Sequence, residues 1–156
     1  VNGRMQAKTL DAHHTLIDDS YNANPDSVRA AIDALKQSGK TSWLVLGDMG
    51  EVGDQGSAFH HEVGAYAAEQ GISKFFSIGE QCKFALQGFE EMKQKLKLSS
   101  AAEHFSDVNV LNTRLVSDLR LQQSSDKHLN ILVKGSRFMR MERVVQALVE
   151  EAKACS

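Results

Sequence analysis

The chain has 156 residues, 42% of them apolar and 24% charged, which is the composition of an ordinary globular domain with one good core. Its 18 basic and 20 acidic residues are interspersed and leave a formal net charge of −2, so small-molecule or protein partners are expected, with no nucleic acid and no membrane. No apolar run approaches the roughly 18 to 20 residues of a membrane span and no signal peptide opens the chain; Cys82 and Cys155 form neither a disulfide framework nor a CxxC site, so a cytoplasmic setting is expected.

The chain opens Val1-Asn2-Gly3-Arg4 without an initiator methionine, and reads as a single domain, 1–156, cut from a longer protein. Met5 to Leu10 alternates weakly and Thr15 to Ile17 is β-rich, predicting two short strands. A well-marked helix follows. Asn24 is a good N-cap, Pro25 suits the first helical position, Val28, Ala31, Ile32 and Leu35 form one apolar face, and Gly39 ends it. Trp43 to Leu46 is a continuous apolar run of the kind buried on both faces of a parallel sheet. A loop studded with Gly47, Gly50, Gly53 and Gly56 leads to a helix predicted to be capped by Ser57 and closed by Gly71. Then come a strand at Lys74 to Ile78, a helix at Cys82 to Leu96, a short strand near His104-Phe105 and a helix through Val108, Leu111, Leu115 and Leu119. A strand at Asn130 to Val133 and a helix carrying Met141, Val144, Val145 and Leu148 complete the chain.

Such alternation predicts a Rossmann-like α/β fold, a mainly parallel sheet with helices on both faces in three αβα layers, whose ligands lie beyond the carboxyl ends of the strands. Three strand ends carry polar chemistry: Asp18-Asp19 through Asn24, Gly47-Asp48, and Lys134-Gly135-Ser136-Arg137. Several other motifs fail. The Gly47–Gly56 loop lacks both GxGxxG spacing and the Lys-Ser or Lys-Thr of a Walker A loop; His60-His61-Glu62 has Ala65 where HExxH needs a second histidine; no GxSxG surrounds any serine. The first strand end is more specific. A carboxylate such as Asp19 accepts hydrogen bonds from vicinal ribose hydroxyls, and planar amides such as Asn22 pair with or stack on adenine, while Asn24 also serves as an ordinary helix cap.

Leu16-Ile17-Asp18-Asp19-Ser20-Tyr21-Asn22-Ala23-Asn24-Pro25, Val45-Leu46-Gly47-Asp48-Met49-Gly50-Glu51-Val52-Gly53, His60 four residues before Gly64, and Ile131-Leu132-Val133-Lys134-Gly135-Ser136-Arg137 together resemble the C-terminal domain of the Mur ligases, from Gly3-Arg4 onward. Within that family they resemble most the member that joins D-alanyl-D-alanine to UDP-N-acetylmuramoyl-tripeptide in peptidoglycan synthesis. The resemblance implies a three-domain enzyme in which a carboxylate attacks the γ-phosphate of ATP and an amine displaces the resulting acyl phosphate. The N-terminal domain would hold the UDP portion, and the central domain the P-loop and the Mg2+ ligands. This domain would be inactive alone.

By position, the resemblance implies a catalytic role at the ATP phosphates for Arg4, a ribose contact for Asp19 and adenine-side contacts for Asn22 and Asn24. It implies dipeptide binding by Lys134, Ser136 and Arg137, at a strand end expected to open a helix and so to suit an anion. Asp48 is expected either to hold the dipeptide amine or to organise the glycine loop, and His60 to pack beneath that loop. The same pattern leaves open another Mur or folylpolyglutamate-type ligase, or a free-standing nucleotide-binding module.

Overall fold

In the computed structural model, which describes residues 2–155, the alternation along one strand sets the layers. In β3 (Thr41–Gly47), Leu44 and Leu46 join one apolar cluster while Trp43 and Val45 join another, because successive side chains point to opposite faces. The first face is covered by α1 (Pro25–Gln37), α2 (Gly56–Glu69) and α3 (Cys82–Leu96), and the second by α4 (Val108–Gln122) and α5 (Glu142–Ala154). Both faces are therefore buried from Trp43 to Leu46, and that run is apolar without interruption for that reason.

Among the described residues the sheet has six strands. With β1 (Gln6–Thr9), β2 (His14–Asp19), β4 (Lys74–Ile78), β5 (Ala101–Phe105) and β6 (Leu129–Lys134), the order is β1-β2-β6-β3-β4-β5. All neighbours pair in parallel except β1, which lies antiparallel on β2 at one edge. The chain steps from β2 over β6 to β3 and later returns to fill the gap, so β6 lies between them and their carboxyl ends share one edge.

Local chemistry explains most boundaries. Asn24 Oδ1 accepts from Ser27 N at 2.8 Å while Ser27 Oγ accepts from Asn24 N at 3.1 Å, a reciprocal cap that starts α1 at Pro25. Ser57 does not cap α2: a 3-10 turn over Gly53–Gln55 runs directly into the helix, which begins at Gly56, so Ser57 already lies inside it. α2 and α3 pack backbone against backbone, since a Cβ on Gly64 would lie 1.8 Å from the Ala85 carbonyl oxygen and one on Gly88 2.0 Å from that of His61. The strand β6 does not open a helix either. A 3-10 turn at Arg137–Met139 and a left-handed Arg140 intervene before α5 begins at Glu142.

Candidate functional site

The parallel register of β2 and β6 pairs Asp19 with Lys134, one at each strand's last position. Lys134 Nζ donates to Asp19 Oδ2 at 2.6 Å and to the Asn22 carbonyl at 2.9 Å, with side-chain exposures of 3% for Lys134 and 11% for Asp19. Met5 N donates to Asp19 Oδ1 at 3.2 Å and Tyr21 N to the Gly3 carbonyl at 2.7 Å, so the N-terminal segment is tied down beside the strand end and Arg4 is carried there with it. Met5 adopts a left-handed φ of 43° in that turn. These groups form a cleft of about 450 Å³ on the α1 side of the sheet edge, walled by Arg4, Asp19, Tyr21, Asn22, Asn24 and Lys134.

Within this cleft the two amides differ. Asn24 is committed on both ends, its oxygen to the helix cap and its Nδ2 to Glu51 Oε2 at 3.1 Å. Asn22 is exposed, and its Oδ1 only closes a local turn by accepting from Ala23 N, which leaves its amide nitrogen available. Asp19 has one partner on each oxygen, and an ionised carboxylate oxygen accepts more than one hydrogen bond.

A second cleft of about 280 Å³ lies on the α5 side, walled by Gly3, Asp18, Ser20, Tyr21, Arg137 and Glu142 among others. The period of two splits the adjacent carboxylates: Asp19 faces α1, whereas Asp18 faces the other way and accepts from Ser20 N and Ser20 Oγ, the latter at 2.6 Å. The expected basic pair is split in the same manner. Lys134 is buried against Asp19 in the first cleft, and Arg137 is exposed at the second, where its Nη1 donates to Tyr21 Oη at 3.2 Å. The helix start expected to favour an anion at Ser136-Arg137 is replaced by the short 3-10 turn. Ser136 N donates to the Asp48 carbonyl at 2.8 Å, and its buried Oγ has no partner among the described residues.

Asp48 contacts what a loop organiser contacts. Its Oδ1 accepts from Cys82 N at 2.8 Å, at the start of α3, and the carboxylate lies so close to Gly79, at φ 112°, that a Cβ there would meet Asp48 Oδ1 at 2.3 Å. His60 is buried beneath the glycine loop. Met49 N donates to its Nε2 at 2.9 Å and its Nδ1 lies 2.7 Å from the Gly56 carbonyl, which fixes a neutral imidazole protonated on Nδ1. Asp48, His60 and Cys82 come within ligand distance of one another, but both nitrogens of His60 are used, and burial together with the nearby Asp48 pushes the Cys82 thiol well up. Such a set does not suit Mg2+, which takes oxygen ligands and keeps water. Tyr21, which walls both clefts, belongs to the motif that carries the family resemblance, but nothing in the sequence assigned it a role of its own.

A family model described as "Mur ligase, glutamate ligase domain" matches residues 3–137. The chain belongs to the Mur ligase family. It is 37% identical over 150 residues to the UDP-N-acetylmuramoyl-tripeptide–D-alanyl-D-alanine ligase of Escherichia coli, covering 96% of this chain and 30% of that protein. A crystal structure of MurF from Acinetobacter baumannii superposes with a TM-score of 0.80 at 32% identity, over 96% of this chain and 31% of that one. MurF from Thermotoga maritima, solved in complex with ADP, shares the fold with a TM-score of 0.77 at 22% identity, over 100% of this chain and 32% of that one. This Mur ligase chain thus spans about a third of the length of the relatives it matches, and among its described residues no helix is long and apolar enough to cross a membrane.

Proposed function

We propose that this chain is the C-terminal domain of an ATP-dependent, cytoplasmic ligase that joins D-alanyl-D-alanine to UDP-N-acetylmuramoyl-tripeptide during peptidoglycan synthesis. The observation that carries the reading is the first cleft, where a buried carboxylate is held by a register-paired ammonium beside the Asn22 amide, whose nitrogen has no partner among the described residues, and an exposed guanidinium. Its relatives at 37% and 32% identity supply the reaction class. Asp19 accepts the ribose hydroxyls, Asn22 meets the adenine edge, Asn24 holds the loop through its cap, and Arg4 reaches the phosphates, where its charge offsets that of the transferring group. Lys134 acts on the nucleotide side by fixing Asp19.

The second cleft receives the dipeptide. Arg137 pairs with its carboxylate and Ser136, with its unpartnered hydroxyl, stands beside it once the other domains of the same chain close, leaving the amine free to attack. Asp48 shapes the loops on which Ser136 rests. Among the described residues Asp19 is the only carboxylate walling the first cleft and is already paired, which fits the assignment of Mg2+ to the central domain of the enzyme. Full-length protein given ATP, Mg2+ and UDP-N-acetylmuramoyl-tripeptide is expected to release ADP and phosphate only when D-alanyl-D-alanine is added. Equal stimulation by glutamate would assign it to another ligase of the superfamily, and no amine-dependent release would refute the reading.

A further inference from the structure

Among the described residues Tyr21 alone walls both clefts, and two guanidiniums meet its ring. The Arg4 guanidinium carbon lies 4.3 Å from the ring centroid and that of Arg137 4.7 Å, with Arg137 also donating to the hydroxyl at 3.2 Å. Neither arginine has a carboxylate partner among the described residues. The difference between a ring and a carboxylate matters here. A carboxylate would position a guanidinium but cancel the charge needed for an anion, whereas the negative face of a ring restrains it and leaves its charge and most of its N–H donors free.

The tyrosine is itself well held. Its N–H donates to the Gly3 carbonyl, Ser20 before it is fixed on Asp18, and Lys134 donates to the carbonyl of Asn22 after it. We propose that Tyr21 is the positioning residue for both substrates, holding Arg4 toward the nucleotide phosphates and Arg137 toward the dipeptide carboxylate while leaving both charges available. The inference rests on the ligase reading above. It adds that one side chain serves both clefts.

The test is steady-state kinetics on the full-length ligase. Tyr21→Leu, which removes ring and hydroxyl, is expected to raise the KM for both ATP and D-alanyl-D-alanine by about threefold to tenfold. Tyr21→Phe keeps the ring and loses only the acceptor for Arg137. It is expected to raise the dipeptide KM about threefold while shifting that for ATP by less than about twofold. In an Arg137→Ala background the added effect of Tyr21→Phe on the dipeptide KM should vanish, because the hydroxyl has lost its donor. A merely structural tyrosine would lower stability and kcat without this split. The inference is overturned if Tyr21→Leu moves neither KM or only one, or if the Tyr21→Phe effect persists undiminished without Arg137. Should Tyr21→Leu fail to fold, the Phe variant and its cycle decide alone. A parent enzyme with no dipeptide-dependent ADP release overturns the ligase reading as well, whereas an active parent with indifferent Tyr21 variants overturns only this one.

Discussion

Removing Asp19 should damage the fold and the nucleotide site by separable amounts. In Asp19→Leu the Lys134 ammonium, 3% exposed, keeps only the Asn22 carbonyl as a partner. Breaking a buried pair from one side costs about 3–5 kcal/mol, since the remaining charge is neither solvated nor compensated. For a domain of this length that is a fall in Tm of roughly 6 to 20 °C. Replacing both partners with apolar side chains removes the orphaned charge, so Asp19→Leu/Lys134→Met should regain the parent's stability to within about 1 kcal/mol. Nucleotide binding should not return with it: the lost charged hydrogen bond is worth about 1.5–3 kcal/mol, or roughly tenfold to a hundredfold in ATP affinity. Urea unfolding of the 156-residue chain reads the first effect and calorimetric ATP titration of full-length protein the second. An Asp19→Leu domain as stable as its parent would refute the burial reasoning, and a double variant that binds ATP normally would refute the ribose assignment.

The isolated chain should show no ATPase or ligase turnover above a buffer control, because phosphoryl transfer requires a phosphate cradle and Mg2+ that the reading assigns to another domain. Gly64→Ala should destabilise it by at least about 1–3 kcal/mol, since the new methyl would strike the Ala85 carbonyl across α2 and α3; a Tm unchanged from the parent would contradict that packing. Burial holds His104, whose Nδ1 lies 2.6 Å from Ser77 Oγ, below the ordinary histidine range, with Lys83 adding to the effect. The unfolded chain then binds the proton more readily, so stability should rise with pH through the window below about 6.5 and level off above it. His104→Gln should flatten that rise in a Tm-against-pH series, and an unaltered slope would count against it.

What the sequence disclosed followed from periodicity and caps. The uninterrupted apolar run Trp43 to Leu46 required a strand covered on both sides, and Asn24-Pro25 marked the start of α1, although the reciprocal bond from Ser27 appeared only in the structure. Ser57 misled because the chain reaches α2 through a 3-10 turn, for which local residues give no separate signal. The site was legible as a set of strand ends but not as two clefts. Lys134 and Arg137 are close in sequence, yet a strand's last residue is fixed by register and points to the face that Asp19 shares, while Arg137 follows the turn to the other side. Register between β2 and β6 spans more than a hundred residues, and no local pattern reveals it. The role of Tyr21 was hidden for the same reason, its two arginine partners arriving from distant parts of the chain.

The division of the sheet edge into a nucleotide cleft and a dipeptide cleft is tested most directly by equilibrium titration of full-length Asp19→Asn and Arg137→Ala with each ligand separately. Asp19→Asn, with a poorer acceptor, should weaken ATP by about tenfold and leave D-alanyl-D-alanine within about twofold of the parent. Arg137→Ala should weaken the dipeptide by about tenfold or more and leave ATP within about twofold, because a charge-assisted contact to a carboxylate is lost on the far side of Tyr21. If Arg137→Ala instead abolishes ATP binding and spares the dipeptide, the two ligands have been placed in the wrong clefts.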